Sequence, residues 1–279
     1  MVFSNIEKIG KSFGVVYVDH GIQEDSLRWG DFCKTQCDHY GLCFTQINID
    51  EKVPKGSSIE AWAREKRYEL IGQVMNKNDL LFTAHHQDDQ VETFFLQALR
   101  GAGPRGLSSM PLLKDITNAI HVRPLLNYSR SELKFYAKEN KLSWQEDSSN
   151  TDTKFDRNYL RNKVIPAFEK RWPSYRKTIS RLLIHQQECA SLMSEIGLQD
   201  LKIVSHKKQL NLNMLRDLSV ARQKNIIFIW LQKLQIETPN TKHINQIVSD
   251  LINSESDNAN CINWRTVEIR KYKKLLYAY

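Results

Sequence analysis

Three short apolar runs, FGVVYVDHG (13–21), CFTQINI (43–49) and LLFTAHH (80–86), alternate with stretches of helical periodicity. That alternation constrains the fold more than any other feature. Runs apolar at nearly every position suit strands covered on both faces, as in parallel sheets. Between the first two, SLRWGDFCKTQCDHYG fits an amphipathic helix closed by Gly41, so the unit reads β-α-β. Ser57 with Glu60 offers a capping box to a helix that carries Trp62, Ala63, Leu70, Ile71, Val74 and Met75 at near-helical spacing. LLFTAHH is followed by a helix (QVETFFLQALR), a strand (IHVRPLL) and the helix SRSELKFYAKEN, with a second capping box at Ser129 and Glu132. Strands alternating with helices imply a parallel α/β sheet. From about 159 to 193 the pattern is wholly helical, and after Gly197 come a short strand (QLNLN), two helices and a basic, β-leaning end. A boundary near 195 to 200 therefore divides an α/β domain, 1–195, from a small α+β domain, 196–279.

No apolar run in the 279 residues approaches the roughly 18 that a membrane span needs. The segment MVFSNIEKIGKSFG lacks the pattern of a secretory signal, and five cysteines give an odd count without disulfide-like spacing. The expected compartment is the reducing cytoplasm. Lys and Arg exceed Asp and Glu by 40 to 32, a formal +8 that favours a polyanionic partner. Cys33 and Cys37 stand one helical turn apart and form no CxxC with Cys43, so helix packing explains them better than a metal or sulfur-transfer centre.

The chemistry concentrates in HHQDDQVETFFLQALRGAG, residues 85–103. In open parallel sheets ligands sit beyond the carboxyl ends of strands, where His85, His86, Asp88 and Asp89 fall. Asp89 and Glu92, three apart, share one helix face, so two carboxylates can serve one small volume. Three readings stay open on the residues alone. An acidic first turn could simply satisfy the helix dipole. The cluster could hold a metal, with Asp19 and His20 at the end of the first strand as contributors. Or the paired acids do acid/base work.

HHQDDQVETFFLQALRGAGPRGL resembles the HHxDDxxET...LRGxGxxGL signature of the tRNA(Ile)-lysidine synthetases, in the N-type ATP pyrophosphatase (PP-loop) superfamily. VVYVDHGIQEDS, EAWAREKRYEL, RPLL and EDSSNTDTKFDRNYLRNKVIP are similar to further motifs of that family, in the same order. The resemblance is strong over about 13–172 and implies a Rossmann-like, adenine nucleotide alpha hydrolase-like fold followed by helices and a tRNA-facing α+β domain. It implies a cytoplasmic ligase for which ATP, with Mg2+, adenylates the C2 oxygen of the wobble cytidine in the tRNA(Ile) anticodon stem-loop. L-lysine then displaces AMP. It also implies a homodimer.

A lysine ε-amine of pKa about 10.4 must be held by negative charge and relieved of a proton before it attacks. The resemblance accordingly assigns Asp89 and Glu92 to gripping lysine, with Asp88 or His85 helping with protons or magnesium. It carries Arg64, Arg67, Arg100, Arg157 and Arg161 over as contacts for phosphate or tRNA, and Asp19 and His20 to the nucleotide side. GAGPRG is expected to be a mobile loop closing over substrate. A non-catalytic tRNA-binding remnant and a metal-dependent phosphohydrolase built on HHQDD are the rival readings.

One family element is missing. The superfamily's SGGxDS loop presents backbone N–H groups to pyrophosphate after the first strand, and these 279 residues contain no Gly-Gly pair. In the family's 3-2-1-4-5 strand order that first strand is central. Its loss would orphan backbone donors on both sides, at about 1–3 kcal/mol for each buried group. The sequence expectation is thus a fold lacking its first strand, a fragment or degenerate gene product that binds ATP poorly.

Overall fold

β1 (Gly14–Asp19) and β2 (Cys43–Asn48) pair in parallel, with Gly14 opposite Cys43 and Asp19 opposite Asn48. The helix between them, α1 (Ser26–His39), ends at a left-handed Gly41, φ +63°, and buries Cys37. The expected β-α-β unit is therefore present in the computed structural model, which describes residues 13–21, 25–56, 58–116, 119–254 and 261–279.

α2 (Ile59–Val74) buries Trp62, Ala63 and Ile71, whereas Val74 is exposed. Its cap is Ser58, whose side chain accepts the Ala61 N–H at 3.4 Å. The expected cap, Ser57, lies outside the described residues. β3 (Asp79–Phe82) pairs in parallel with β5 (Ala119–Val122), and β4 (Leu113–Ile116), which the sequence did not reveal, runs antiparallel on the far side of β5. Among the described residues no strand bridges β1 and β3, so two sheets stand where one was expected. The consequence falls on β3. Leu80 and Phe82 are 42% and 46% exposed rather than covered on both faces. Both lie on one face of β3, while Asp79 and Leu81 on the other are half-buried, so one face only is covered.

α3 (Gln87–Leu99) follows β3 and buries Gln90, Val91 and Glu92. The GAGPRG segment forms a turn through Gly101, φ +69°, and a short helix, α4 (Pro104–Leu107), with Pro104 in its first turn. Pro at that position costs no hydrogen bond and presets the helical φ. α5 (Arg130–Glu139) carries the expected capping box in full: Ser129 Oγ accepts the Glu132 N–H, and Glu132 Oε2 accepts the Ser129 N–H at 2.7 Å. α6 (Asp156–Tyr159), a π-helical turn over Leu160–Val164 and α7 (Ile165–Arg171) complete the expected helical segment up to α8 (Tyr175–Val204).

The residues pack as two compact units, one reaching to Thr93 and resuming over Met110–Arg176, the other made of Phe94–Ser109 and Lys177–Tyr279. The second unit holds the larger core. β6 (Ser205–His206), β7 (Gln209–Asn211), β8 (Cys261–Trp264), β9 (Val267–Tyr272) and β10 (Leu275–Ala278) form an antiparallel sheet in the order β6-β7-β10-β9-β8. α9 (Leu212–Arg216), α10 (Val220–Lys233) and the π-helical turn Ile247–Ile252 that continues α11 (Thr241–Gln246) supply Leu215, Ile226, Leu231, Leu251 and their neighbours against Leu210, Ile269 and Leu276. Gly197 does not end a helix here; it lies inside α8. No helix among the described residues is long and apolar enough to cross a membrane.

Candidate active site

The acids of the HHQDD turn find their partners within the first unit. Asp89 Oδ2 accepts the His86 N–H at 2.9 Å, closing the start of α3 in the manner of a helix cap. Its other oxygen lies 3.7 Å from Arg161 Nη2, beyond hydrogen-bond range. Asp88 accepts the Arg130 N–H at 2.7 Å and the Arg176 Nε at 2.8 Å. Burial alone would raise the Asp88 carboxyl, but those donors outweigh it and hold it below the ordinary range.

Glu92 sits otherwise than expected. It shares a face with Asp89, as helical spacing requires, because both carboxylates meet Arg161. Yet it is 0% exposed, and Arg161 takes both of its oxygens, Nε to Oε1 at 2.7 Å and Nη2 to Oε2 at 2.9 Å. Burial raises the Glu92 carboxyl against the opposing pull of Arg161. In this arrangement Arg161 and the surrounding protein cover both oxygens, so no oxygen of Glu92 faces solvent. Its physical work in this arrangement is to fix the guanidinium whose remaining nitrogen, Nη1, binds Asn150 Oδ1 at 3.0 Å.

The remaining arginines divide. Arg157 approaches Glu92 at 3.7 Å and Glu60 at 3.9 Å, and its Nε is buried without a hydrogen-bond partner. Arg64 lies over the Tyr68 ring at 5.3 Å from the centroid. Arg67 donates to His20 Nε2 from Nε at 3.2 Å and Nη2 at 2.9 Å. Asp19, 6% exposed, spends Oδ1 on the Gly21 N–H at 2.8 Å. Asp19 and His20 thus stand together at the end of β1, with His20 Nδ1 buried and without a hydrogen-bond partner. Arg100 is exposed at the end of α3 in the second unit.

His85 is half-buried, and its Nδ1 meets Thr83 Oγ1 at 2.7 Å. Burial first, then Arg123, Arg64 and Arg157 against the opposing charge of Asp89, press its pKa down to about 4. It is therefore neutral near pH 7, with one ring nitrogen a donor and the other an acceptor. Among the described residues no group of three His, Cys, Asp or Glu side chains converges to hold a metal.

The sequence did not reveal Arg176, Thr83 or His121, and it marked Arg123 only within RPLL. Arg176 joins the acids from 88 residues away and Thr83 meets His121 across 38, so no local pattern could signal either contact.

Residues 2–168 match the family profile described as a PP-loop domain, and residues 210–277 match the TilS substrate binding domain. The chain is 36% identical to a tRNA(Ile)-lysidine synthase from Coxiella burnetii over 262 residues, covering 94% of this chain and 58% of that protein. It is 37% identical to a tRNA(Ile)-lysidine synthase from Nitrosomonas europaea over 273 residues, covering 97% of this chain and 59% of that one. The chain spans about three fifths of the length of the curated relatives it matches. Among solved structures it resembles the U34-tRNA thiolase NcsA from Methanococcus maripaludis with its 4Fe-4S cluster, at 16% identity, a TM-score of 0.53 and 66% coverage of each chain. That likeness is one of fold.

Proposed function

The chain belongs to the PP-loop family and carries a TilS substrate binding domain behind its PP-loop domain, and from that premise we propose that it joins L-lysine to the wobble cytidine of tRNA(Ile) in an ATP-driven reaction. The observation that carries this reading is the state of Asp89. Of the carboxylates on the turn, Asp88 and Glu92 are fully engaged, while Asp89 Oδ1 has only a long contact to Arg161. An ammonium seated on that oxygen gains a charge-assisted hydrogen bond, and the same carboxylate is placed to take its proton.

The contacts described above support the following roles. Glu92 positions Arg161 rather than gripping lysine. Asp88 is a clasp joining the start of α3 to Arg130 and Arg176. Arg157, with its unpartnered Nε, and neutral His85 face charge that develops when the cytosine C2 oxygen is adenylated and pyrophosphate leaves. The amine then attacks C2 and AMP departs. Magnesium would arrive on the triphosphate. The exposed Arg64, Arg67 and Arg100, the +8 net charge and the TilS substrate binding domain support tRNA as the polyanionic partner.

The test supplies purified chain with tRNA(Ile), ATP at high concentration and labelled lysine. Label should enter the tRNA, and Asp89→Asn should slow its entry by about 100-fold or more. No label, with tRNA still retained on filters, would replace this reading by that of a non-catalytic tRNA-binding protein.

A further inference from the structure

We infer that Thr83, His121 and Arg123 form a hydrogen-bonded chain that fixes His85 as the tautomer protonated on Nε2. The logic starts from the one member that cannot reverse. An arginine has only donors, so Arg123 Nη2, 3.0 Å from His121 Nδ1, must donate there. His121 Nδ1 is then an acceptor and its proton is on Nε2. That N–H points at Thr83 Oγ1, 2.8 Å away, and donates to it. The hydroxyl has one proton to give, and its other neighbour is His85 Nδ1 at 2.7 Å. Thr83 therefore donates to His85 Nδ1, and the single proton of the neutral imidazole is left on Nε2.

The chain is built to hold that direction. Arg123 and His121 are 3% and 1% exposed, so water cannot readily substitute for either partner. Arg123 is itself pinned, Nη1 donating to the Pro111 carbonyl at 2.8 Å and its backbone N–H to Leu112 at 3.0 Å. Thr83 is likewise anchored, its N–H donating to the Val122 carbonyl at 3.1 Å. The three residues do not touch substrate; they are positioning residues acting through His85. His85 Nε2 has no partner among the described residues, so the chain delivers one directed N–H donor to the carboxyl end of β3. A donor of that kind suits an anionic oxygen, phosphate or oxyanion, and does not suit an ammonium or a metal ion.

The assignment of the tautomer is independent of the proposed ligase activity, whereas the use of the donor rests on that reading. The full chain labelled with 15N in its histidines separates the two. At pH 7 the ring nitrogens of His85 should give one pyridine-type signal, from Nδ1, and one pyrrole-type signal, from Nε2. Thr83→Val, which keeps the shape and removes the hydroxyl, should move both signals toward a tautomer-averaged position with the circular dichroism unchanged, and Thr83→Ser should restore them. A proton on Nδ1 in the unsubstituted chain overturns the inference, whatever the variants do. So do His85 signals that stay put in Thr83→Val. Loss of lysine transfer in the unsubstituted chain would instead count against the function, leaving the tautomer standing.

Discussion

Arg161 closes a two-pronged ion pair on Glu92, 2.7 and 2.9 Å, with the carboxylate wholly inside the protein. Pairs of this kind contribute little net stability compared with apolar residues of the same volume, yet breaking one side leaves a buried charge alone. Arg161→Leu should therefore cost about 3–5 kcal/mol in urea unfolding. The double variant Arg161→Leu with Glu92→Leu should recover most of that loss. A single variant as stable as the parent would mean that the pair is open in solution.

Asp88 joins three segments, since it begins α3 while accepting from Arg130 at the start of α5 and from Arg176. Asp88→Asn keeps one acceptor oxygen but gives up the charge, and hydrogen bonds to charged groups contribute about 1.5–3 kcal/mol. The loss should be near that range at pH 7. Because the folded pKa is lowered, this stability is present above the unfolded value and disappears as pH falls through the folded one. Unfolding midpoints of parent and variant, followed from pH 6 downward, should converge in acid. Parallel curves would assign the cost of Asp88→Asn to packing instead.

Local signals made much of the first unit legible and distant partners made the rest illegible. The α5 capping box was readable because Ser129 and Glu132 are three residues apart, and β1, α1 and β2 because each apolar pattern is contiguous. β4 was not, since three of its four residues, Leu113, Lys114 and Asp115, are exposed and no burial pattern marks an edge strand. Helical spacing put Asp89 and Glu92 on one face but could not tell which of them faces inward. That was decided by Arg161, 69 residues further on. The proton chain through Thr83 has the same character: each member is ordinary in sequence, and only the fold aligns them.

Gly197 gives a sharper case, because as a sequence signal it suggested a break and in the structure it serves a close approach. A Cβ built there would lie 2.7 Å from Ile229 Cγ1 and 2.9 Å from Asn225 Nδ2 on α10. Gly197→Ala should gain about 1 kcal/mol of helix propensity. Overpacking of a tight contact costs about 1–3 kcal/mol. Asn225 cannot easily yield, as its Nδ2 donates to the Met193 carbonyl at 2.6 Å and its Oδ1 accepts from Arg105 at 2.8 Å. The net effect should be a loss of about 1 kcal/mol, read as a lower thermal midpoint. A raised midpoint would show that α8 and α10 are packed more loosely than this.

His85 and His121, both pressed down to about 4, make stability depend on pH below neutrality, with His20, also lowered by burial and Arg67, adding in the same sense. Burial is the main cause in each, with Arg123 adding to it at His121 and the opposing charge of Asp89 partly offsetting it at His85. The unfolded chain takes up these protons near pH 6.5, whereas the folded chain refuses them until about 4. Between those values the unfolded state binds more protons, so stability rises with pH. It is complete above about 6.5, declines as pH falls toward 4, and is flat below. After allowance for solvent screening at half-buried His85, the pair should account for a loss of about 1–2 kcal/mol between pH 6.5 and 5. That interval lies above the ordinary carboxylate range, and Glu92, whose carboxyl burial raises, is the acid to control for with Glu92→Gln. His85→Gln should flatten the slope there without removing it, because His121 still refuses its proton. Urea midpoints that are level from pH 6.5 to 5 in the parent would mean that water or motion lets these imidazoles protonate in place.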